Sequence, residues 1–285
     1  PARRKALFEA FIPLWAALNG RNEADSPYRR MIALAAGDAA QRGSEIDAAA
    51  RAIGVAPADV ERWLVQVLEA WRDANPSPPL EPWDYRFVNS AANRQLEAKI
   101  PPQSLVPVNE RFYRELGADL GPLAVVFDLA PRPDKSPVAY SDFLRRGRFR
   151  HGEWQRPVAR VVGSYPTGGL FSLNELVHEN GHAVHVSAIH TRPAYMDWPD
   201  TLFTEAFADV PSWSLHEAAW QRRYLGTEVP EQASLRALFS NVMLDVAWSL
   251  FEMRMLREPG AEEWSEETAR AEPGRDETEQ APRLL

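Results

Sequence analysis

Two histidines four positions apart constrain this chain more than any other feature. They stand in Leu176-Val177-His178-Glu179-Asn180-Gly181-His182-Ala183-Val184, where the flanking residues are apolar at helical spacing. On a helix, residues four apart lie on one face, so the two imidazoles sit side by side. The spacing predicts a helix from about Ser172 to Ile189. Four of the six histidines, His178, His182, His185 and His190, fall within one stretch of thirteen positions.

Side-by-side imidazoles can hold one cation. A catalytic zinc takes about three protein ligands and keeps a position open for water. Glu179 follows His178 directly and projects beside such a metal, where it can hold the bound water and take its proton. The HExxH pattern arises by chance in roughly one chain in a hundred of this length, so it needs support from elsewhere. Glu205 supplies it. It stands twenty-three positions after His182 in a second helical pattern, Leu202–Tyr224, and heads Glu205-Ala206-Phe207-Ala208-Asp209. Carboxylates at i and i+4 share a face. The first can be the third ligand while the second, Asp209, accepts the far N–H of a ligand histidine. The expected site is therefore His178, His182 and Glu205 on Zn2+, with Glu179 as general base and then acid. His185 reads as packing or supporting a ligand, and His190 as a helix C-terminal cap. The Trp and Phe residues of Leu202–Trp220 read as core.

The rest of the chain is organised around this region. Val60, Trp63, Leu64, Val67, Leu68 and Trp71 form an amphipathic stripe, ended by Asn75-Pro76-Ser77-Pro78-Pro79. Further helices are expected near Lys5–Leu18, Tyr28–Ala36, Ser44–Ala52, Asp84–Lys99, Val108–Leu116 and Glu231–Arg257. Leu123–Leu129 and Pro157–Gly163 read as strands of a small antiparallel sheet. This predicts a mainly α-helical α+β fold: a helical part over residues 1–120, a core over 121–257, and an acidic, poorly ordered or truncated tail over 258–285.

The formal charge is −8, but the stretch from Glu258 to Leu285 holds nine acidic and three basic residues. The body is nearly neutral, and no nucleic-acid surface is expected. The one basic cluster, Arg145-Arg146-Gly147-Arg148-Phe149-Arg150, reads as a solvated loop or hairpin. Cysteine is absent, so any metal sits on His and carboxylate. No apolar run approaches a membrane span. We place the chain in the cytoplasm, with its start left open because it begins on Pro1 without an initiator Met.

At these residues the chain resembles the thimet oligopeptidase and oligoendopeptidase family of zinc peptidases, within the gluzincins. The family's HEFGH is similar to His178-Glu179-Asn180-Gly181-His182, with Asn in place of Phe. Its F-x-E-A motif is similar to Phe203-Thr204-Glu205-Ala206. A strand ending in D-L, then R and K, matches Phe127-Asp128-Leu129-Ala130-Pro131-Arg132-Pro133-Asp134-Lys135, and a P-W-D element matches Pro82-Trp83-Asp84. The elements keep the family's order over about Pro82 to Arg257. The resemblance implies a zincin-like domain, with helical lobes around a deep cleft that admits short peptides. An edge strand, placed at Arg156–Ser164, would hold the peptide by main-chain pairing.

Two departures stand out. The spacing of Glu205 and Asp209 is closer to the peptidyl-dipeptidase A family. The family's later His and Tyr, which bind substrate and the tetrahedral intermediate, have no match, since the last histidine is His216 and the last tyrosine Tyr224. We expect from this that the intact chain continues past Leu285. Tyr165 and Tyr195 are the remaining candidate donors, each read first as a packing or surface residue. A rival reading is a catalytically impaired fragment that holds metal and peptide without turnover. A closed structural zinc site is a third, and it leaves Glu179 without a role.

Overall fold

A computed structural model describes residues 1–75, 80–190 and 201–260. The structure is mainly helical with a small mixed sheet. Among the described residues, no helix is long and apolar enough to cross a membrane. The chain forms two compact units, one of Pro1–Val88 together with the residues from Phe239, the other Asn89–Leu238.

The first unit carries α1 (Ala2–Glu9), α2 (Ile12–Asn19), α3 (Pro27–Arg42), α4 (Glu45–Ala52), α5 (Pro57–Ala74) and α6 (from Pro82 to Asn89). The single helix expected over Lys5–Leu18 is broken at Ala10 and Phe11. Pro13 explains this, because it has no N–H to continue the ladder and its ring clashes with the preceding turn. Ser44 starts α4 with a capping box, accepting from Asp47 N at 3.0 Å while Asp47 answers the Ser44 N–H. Ion pairs of Arg4 with Asp84 and of Arg257 with Glu61 join distant parts of this unit. Ile32 and Met255 form a small core with Tyr28 and Phe251.

The second unit continues with α7 (Ala91–Leu96) and α8 (Leu105–Glu115). Then come β1 (Val126–Asp128), β2 (Tyr140–Arg145), β3 (Arg148–Arg150), β4 (Glu153–Gln155) and β5 (Val158–Val162). They are followed by α9 (Leu170–Ala188), α10 (Thr201–Trp213) and α11 (Ala218–Leu225). The last helix, α12 (Glu231–Arg257), starts here. The helices expected over Asp84–Lys99 and Leu202–Tyr224 are each interrupted, the latter by a 3-10 turn at Ser214–His216 and an extended Glu217.

The sheet order is β1-β5-β2. Two expectations are corrected here. β1 pairs with β5 in parallel, so the sheet is mixed and not antiparallel. The edge strand expected at Arg156–Ser164 is instead the sheet's centre, since β5 has a neighbour on both sides. The cause is β2, which lacks clean apolar alternation and escapes a periodicity reading. It reverses the chain between β1 and β5 and takes the outer position. The basic cluster forms the hairpin β3–β4, turned by His151 (φ 54°) and Gly152 (φ 83°), the two positive φ values that a type I′ turn requires.

A buried lysine ties the sheet together. Lys135 Nζ donates to the main-chain oxygens of Asp128 (2.7 Å), Ala130 (3.1 Å) and Gly163 (2.6 Å), and also meets Asp128 Oδ1. It thus clamps the C-terminal ends of β1 and β5. Bonding to Arg132, and then to Lys135, holds the Asp128 carboxyl down at about 2. The core of this unit packs the inner faces of α7, α8 and α9 against Ala159 and Val161 of β5. Trp220 joins it, stacked on Tyr224 at 4.6 Å.

His216 is enclosed and bonds through Nδ1 to the Ser234 carbonyl at 3.0 Å. Burial lowers its pKa from 6.5 to about 4. The unfolded chain therefore takes up the proton first as pH falls. Stability contributed by neutral His216 is intact above about pH 6.5 and is lost progressively toward pH 4, by an amount on the order of 3 kcal/mol. Urea unfolding across this window should show the loss. His216→Asn, which keeps an N–H for Ser234, should flatten it.

Candidate metal centre

Helix α9 is fixed along its length. At its start, Phe171 N donates to Asn93 Oδ1 at 2.8 Å. Gly168 lies so close to the Ile100 carbonyl that a Cβ would stand 1.7 Å from that oxygen, so no larger residue fits. In the middle, Tyr113 Oη on α8 donates to the Val177 carbonyl at 2.6 Å, and Ser141 Oγ on β2 donates to the Glu179 carbonyl at 2.7 Å. Asn174 Nδ2 donates to the Ser212 carbonyl of α10 at 2.8 Å. The residue between the motif's acid and its glycine, Asn180, is fully buried and donates to the Leu176 carbonyl one turn back.

The approach of α10 to α9 is set by Gly181. A Cβ there would stand 2.6 Å from Ala208 Cα and 3.0 Å from its Cβ. With hydrogen at Gly181 and methyl at Ala208 the two backbones meet, and Glu205 and Asp209, on either side of Ala208, come to the histidines.

The ligand-type atoms of His178, Glu179 and His182 lie within 4.8 Å of one another. His178 Nδ1 is 2.9 Å from Asp209 Oδ1. In the neutral ring, a carboxylate acceptor at Nδ1 favours the proton there and leaves the Nε2 lone pair for a metal. That Nε2 is 3.1 Å from His182 Nε2 and 3.3 Å from Glu205 Oε2, and Glu205 Oε2 is 3.5 Å from His182 Nε2. The three atoms form a small triangle. Zinc with bonds of about 2.0–2.1 Å in a tetrahedron separates its ligand atoms by about 3.3–3.4 Å. The residues therefore fit that ion in donor type and in spacing. The Glu205 side chain is 50% exposed, so the triangle faces solvent on that side, while His182 and Glu179 are 5% and 7% exposed.

The electrostatics follow from burial. Burial raises the Glu179 pKa, and His178 and Ser141 pull against it. Burial, then the charge of His178, pushes His182 down to about 4. At His178 burial acts downward, but bonding to Asp209 with its charge wins and the net direction is up. Glu175, one turn before Glu179, is raised by burial.

Other residues singled out in the sequence fall outside the triangle. His185 lies between the rings of Phe203 and Phe207, at 5.3 and 5.2 Å, as a packing residue. His190 follows the end of α9 and packs on Trp154 at 4.4 Å. Phe203, Phe207 and Trp213 are exposed and not core, unlike Trp220. The Tyr165 hydroxyl is shut off from solvent without a hydrogen-bond partner, and burial, then Glu175 and Glu179, raises its pKa. Tyr195 lies outside the described residues. Ser141 was missed by sequence reasoning, because only the position of β2 against α9 brings it to Glu179.

Gly181→Ala should cost about 1–3 kcal/mol in urea unfolding, as overpacking at a closed contact does. Gly37→Ala is the control: Gly37 lies within α3 with nothing within 4 Å of an added Cβ, and the change should stabilise by about 0.5–1 kcal/mol. Comparison of the chain with protein-family models and with curated proteins finds no match.

Proposed function

We propose that this chain is a zinc-dependent peptidase that hydrolyses short peptides with a metal-activated water, on a zincin-like fold. The observation that carries the reading is the triangle of His178 Nε2, His182 Nε2 and Glu205 Oε2, with edges of 3.1, 3.3 and 3.5 Å. Zinc there would supply Lewis acidity, lowering the pKa of a water and polarising a carbonyl. His178, His182 and Glu205 would hold the ion. Asp209 keeps the His178 proton on Nδ1 and so keeps Nε2 available.

Glu179 is the group that moves the proton. It is enclosed and its pKa is raised, which makes a carboxylate there a stronger base than one in water. It accepts a proton from the attacking water and returns it to the leaving amine. Ser141 donates to the Glu179 main-chain carbonyl and so fixes the backbone that carries this carboxyl. The outer edge of β2 faces away from β5, and we assign the pairing of an extended peptide to it.

Three substitutions separate the roles. Glu179→Gln should retain one zinc per chain by elemental analysis and lose turnover of a quenched peptide library by at least about 100-fold. His182→Ala should lose the metal. Asp209→Asn should weaken zinc binding by roughly 10–100-fold in a chelator competition. Wild-type turnover by Glu179→Gln defeats the water-activation role, and zinc retention without any peptide hydrolysis by the wild type points to a structural or binding site instead.

A further inference from the structure

We infer that the β3–β4 hairpin gives this site a preference for peptides with acidic side chains a few residues from the bond cleaved. The inference rests on the peptidase reading and deepens it. Ser141, near the start of β2, donates to the Glu179 main-chain carbonyl and so marks the place where this strand meets the metal-bearing helix. β2 then runs to Arg145, four residues on, which at a strand's rise is about 13 Å, shortened somewhat by the irregularity between Phe143 and Arg145. The hairpin follows directly at Arg148. A peptide paired along the outer edge of β2 thus leads from the site to the hairpin.

That destination is strongly cationic. Residues 145–156 hold five arginines against one glutamate, and all five are exposed. Arg145 Nη2 donates to the Arg156 carbonyl and Arg148 Nε to Gln155 Oε1, both neutral acceptors. Among the described residues, no carboxylate pairs with Arg145, Arg148 or Arg150. The contrast is Arg160, inside the sheet, which is bonded in bidentate fashion to Asp142. The charge of Arg145, Arg148 and Arg150 is therefore not cancelled by an ion pair, whereas that of Arg160 is. Its shape is fixed too: the I′ turn sets the register, and Phe149 packs on Trp154 at 5.1 Å with His190 from the end of α9 on the same rings. The hairpin is tied to the metal-bearing helix and presents its guanidinium groups from a fixed platform.

The hairpin's field favours acidic side chains at a distance of about three to four residues from the cleaved bond. Each exposed pair contributes modestly, so two contacts give an advantage of roughly threefold to tenfold at low salt.

The test is binding, measured by fluorescence anisotropy to protein carrying Glu179→Gln, so that the probe is not consumed. Within each of two pairs, labelled nonapeptides differ only in Glu against Gln three and four residues from the central bond, on its N-terminal side in one pair and its C-terminal side in the other. We expect the Glu peptide of one pair to bind roughly threefold to tenfold more tightly. The advantage should vanish in high salt and in Arg148→Glu/Arg150→Glu, with the Gln peptide's affinity unchanged in that variant. Arg148→Gln/Arg150→Gln should reduce it without charge reversal. Equal affinities in both pairs, no binding of any peptide, or a preference that survives the arginine substitutions overturns the inference. So does a polynucleotide bound through these arginines while the peptides show no difference. Failure of the peptidase reading is seen separately, as absence of hydrolysis of these peptides by the zinc-loaded wild type.

Discussion

The contact between Gly181 on α9 and Ala208 on α10 is the constraint on which the rest of the second unit depends. Because one side of it is hydrogen, two helix backbones approach to a separation that any side chain at position 181 would prevent. The histidines flank the glycine along α9 at positions 178 and 182, and the carboxylates flank the alanine at 205 and 209. The closest point of the helix pair is therefore also the point where four titratable side chains meet. Moving the helices apart by the width of a methyl group would separate Glu205 from both imidazoles.

A site that brings so much polar chemistry to a buried helix needs rigid supports. Tyr113 and Ser141 bond to main-chain carbonyls at Val177 and Glu179, the residues just before His178 and just after it. They take acceptors already used in the helix ladder and anchor α9 to α8 and to β2 without occupying the side chains that carry the chemistry. Lys135 plays the same part for the sheet, drawing three carbonyls of two strand ends and the loop between them onto one buried ammonium. The Asp128–Arg132 pair is exposed on its arginine side and contributes less to stability than to holding the Lys135 loop in place.

How much of this could be seen in the sequence differs from residue to residue. The i, i+4 spacing of His178 and His182, and of Glu205 and Asp209, is local geometry, and a helix of any origin puts each pair on one face. That the Asp209 carboxylate bonds to His178 Nδ1 follows once the two faces are opposed. The sheet was much less visible. β2, Tyr140–Arg145, mixes polar and apolar residues without clean alternation, so its existence went unread, and with it the mixed order and the central place of Val158–Val162. Ser141 became a candidate only when β2 was placed beside α9. The aromatic residues of α10 misled in the opposite way: Phe203 and Phe207 look like core in a helical pattern, yet they lie at the surface around His185.

The sequence by itself determined where most of the helical segments lie and which side chains share a face, because helical periodicity and capping residues act over a few positions, though it did not show where three of those segments break. It also set the chemistry available, histidine and carboxylate with no thiol. Only the tertiary structure decided the distances between Glu205 and the two imidazoles, the order of the strands and the position of the basic hairpin at the end of an outer strand. Those depend on how closely backbones more than twenty residues apart can approach. The contact that sets the limit pairs a glycine with an alanine, a choice that no pattern of hydrophobicity reveals.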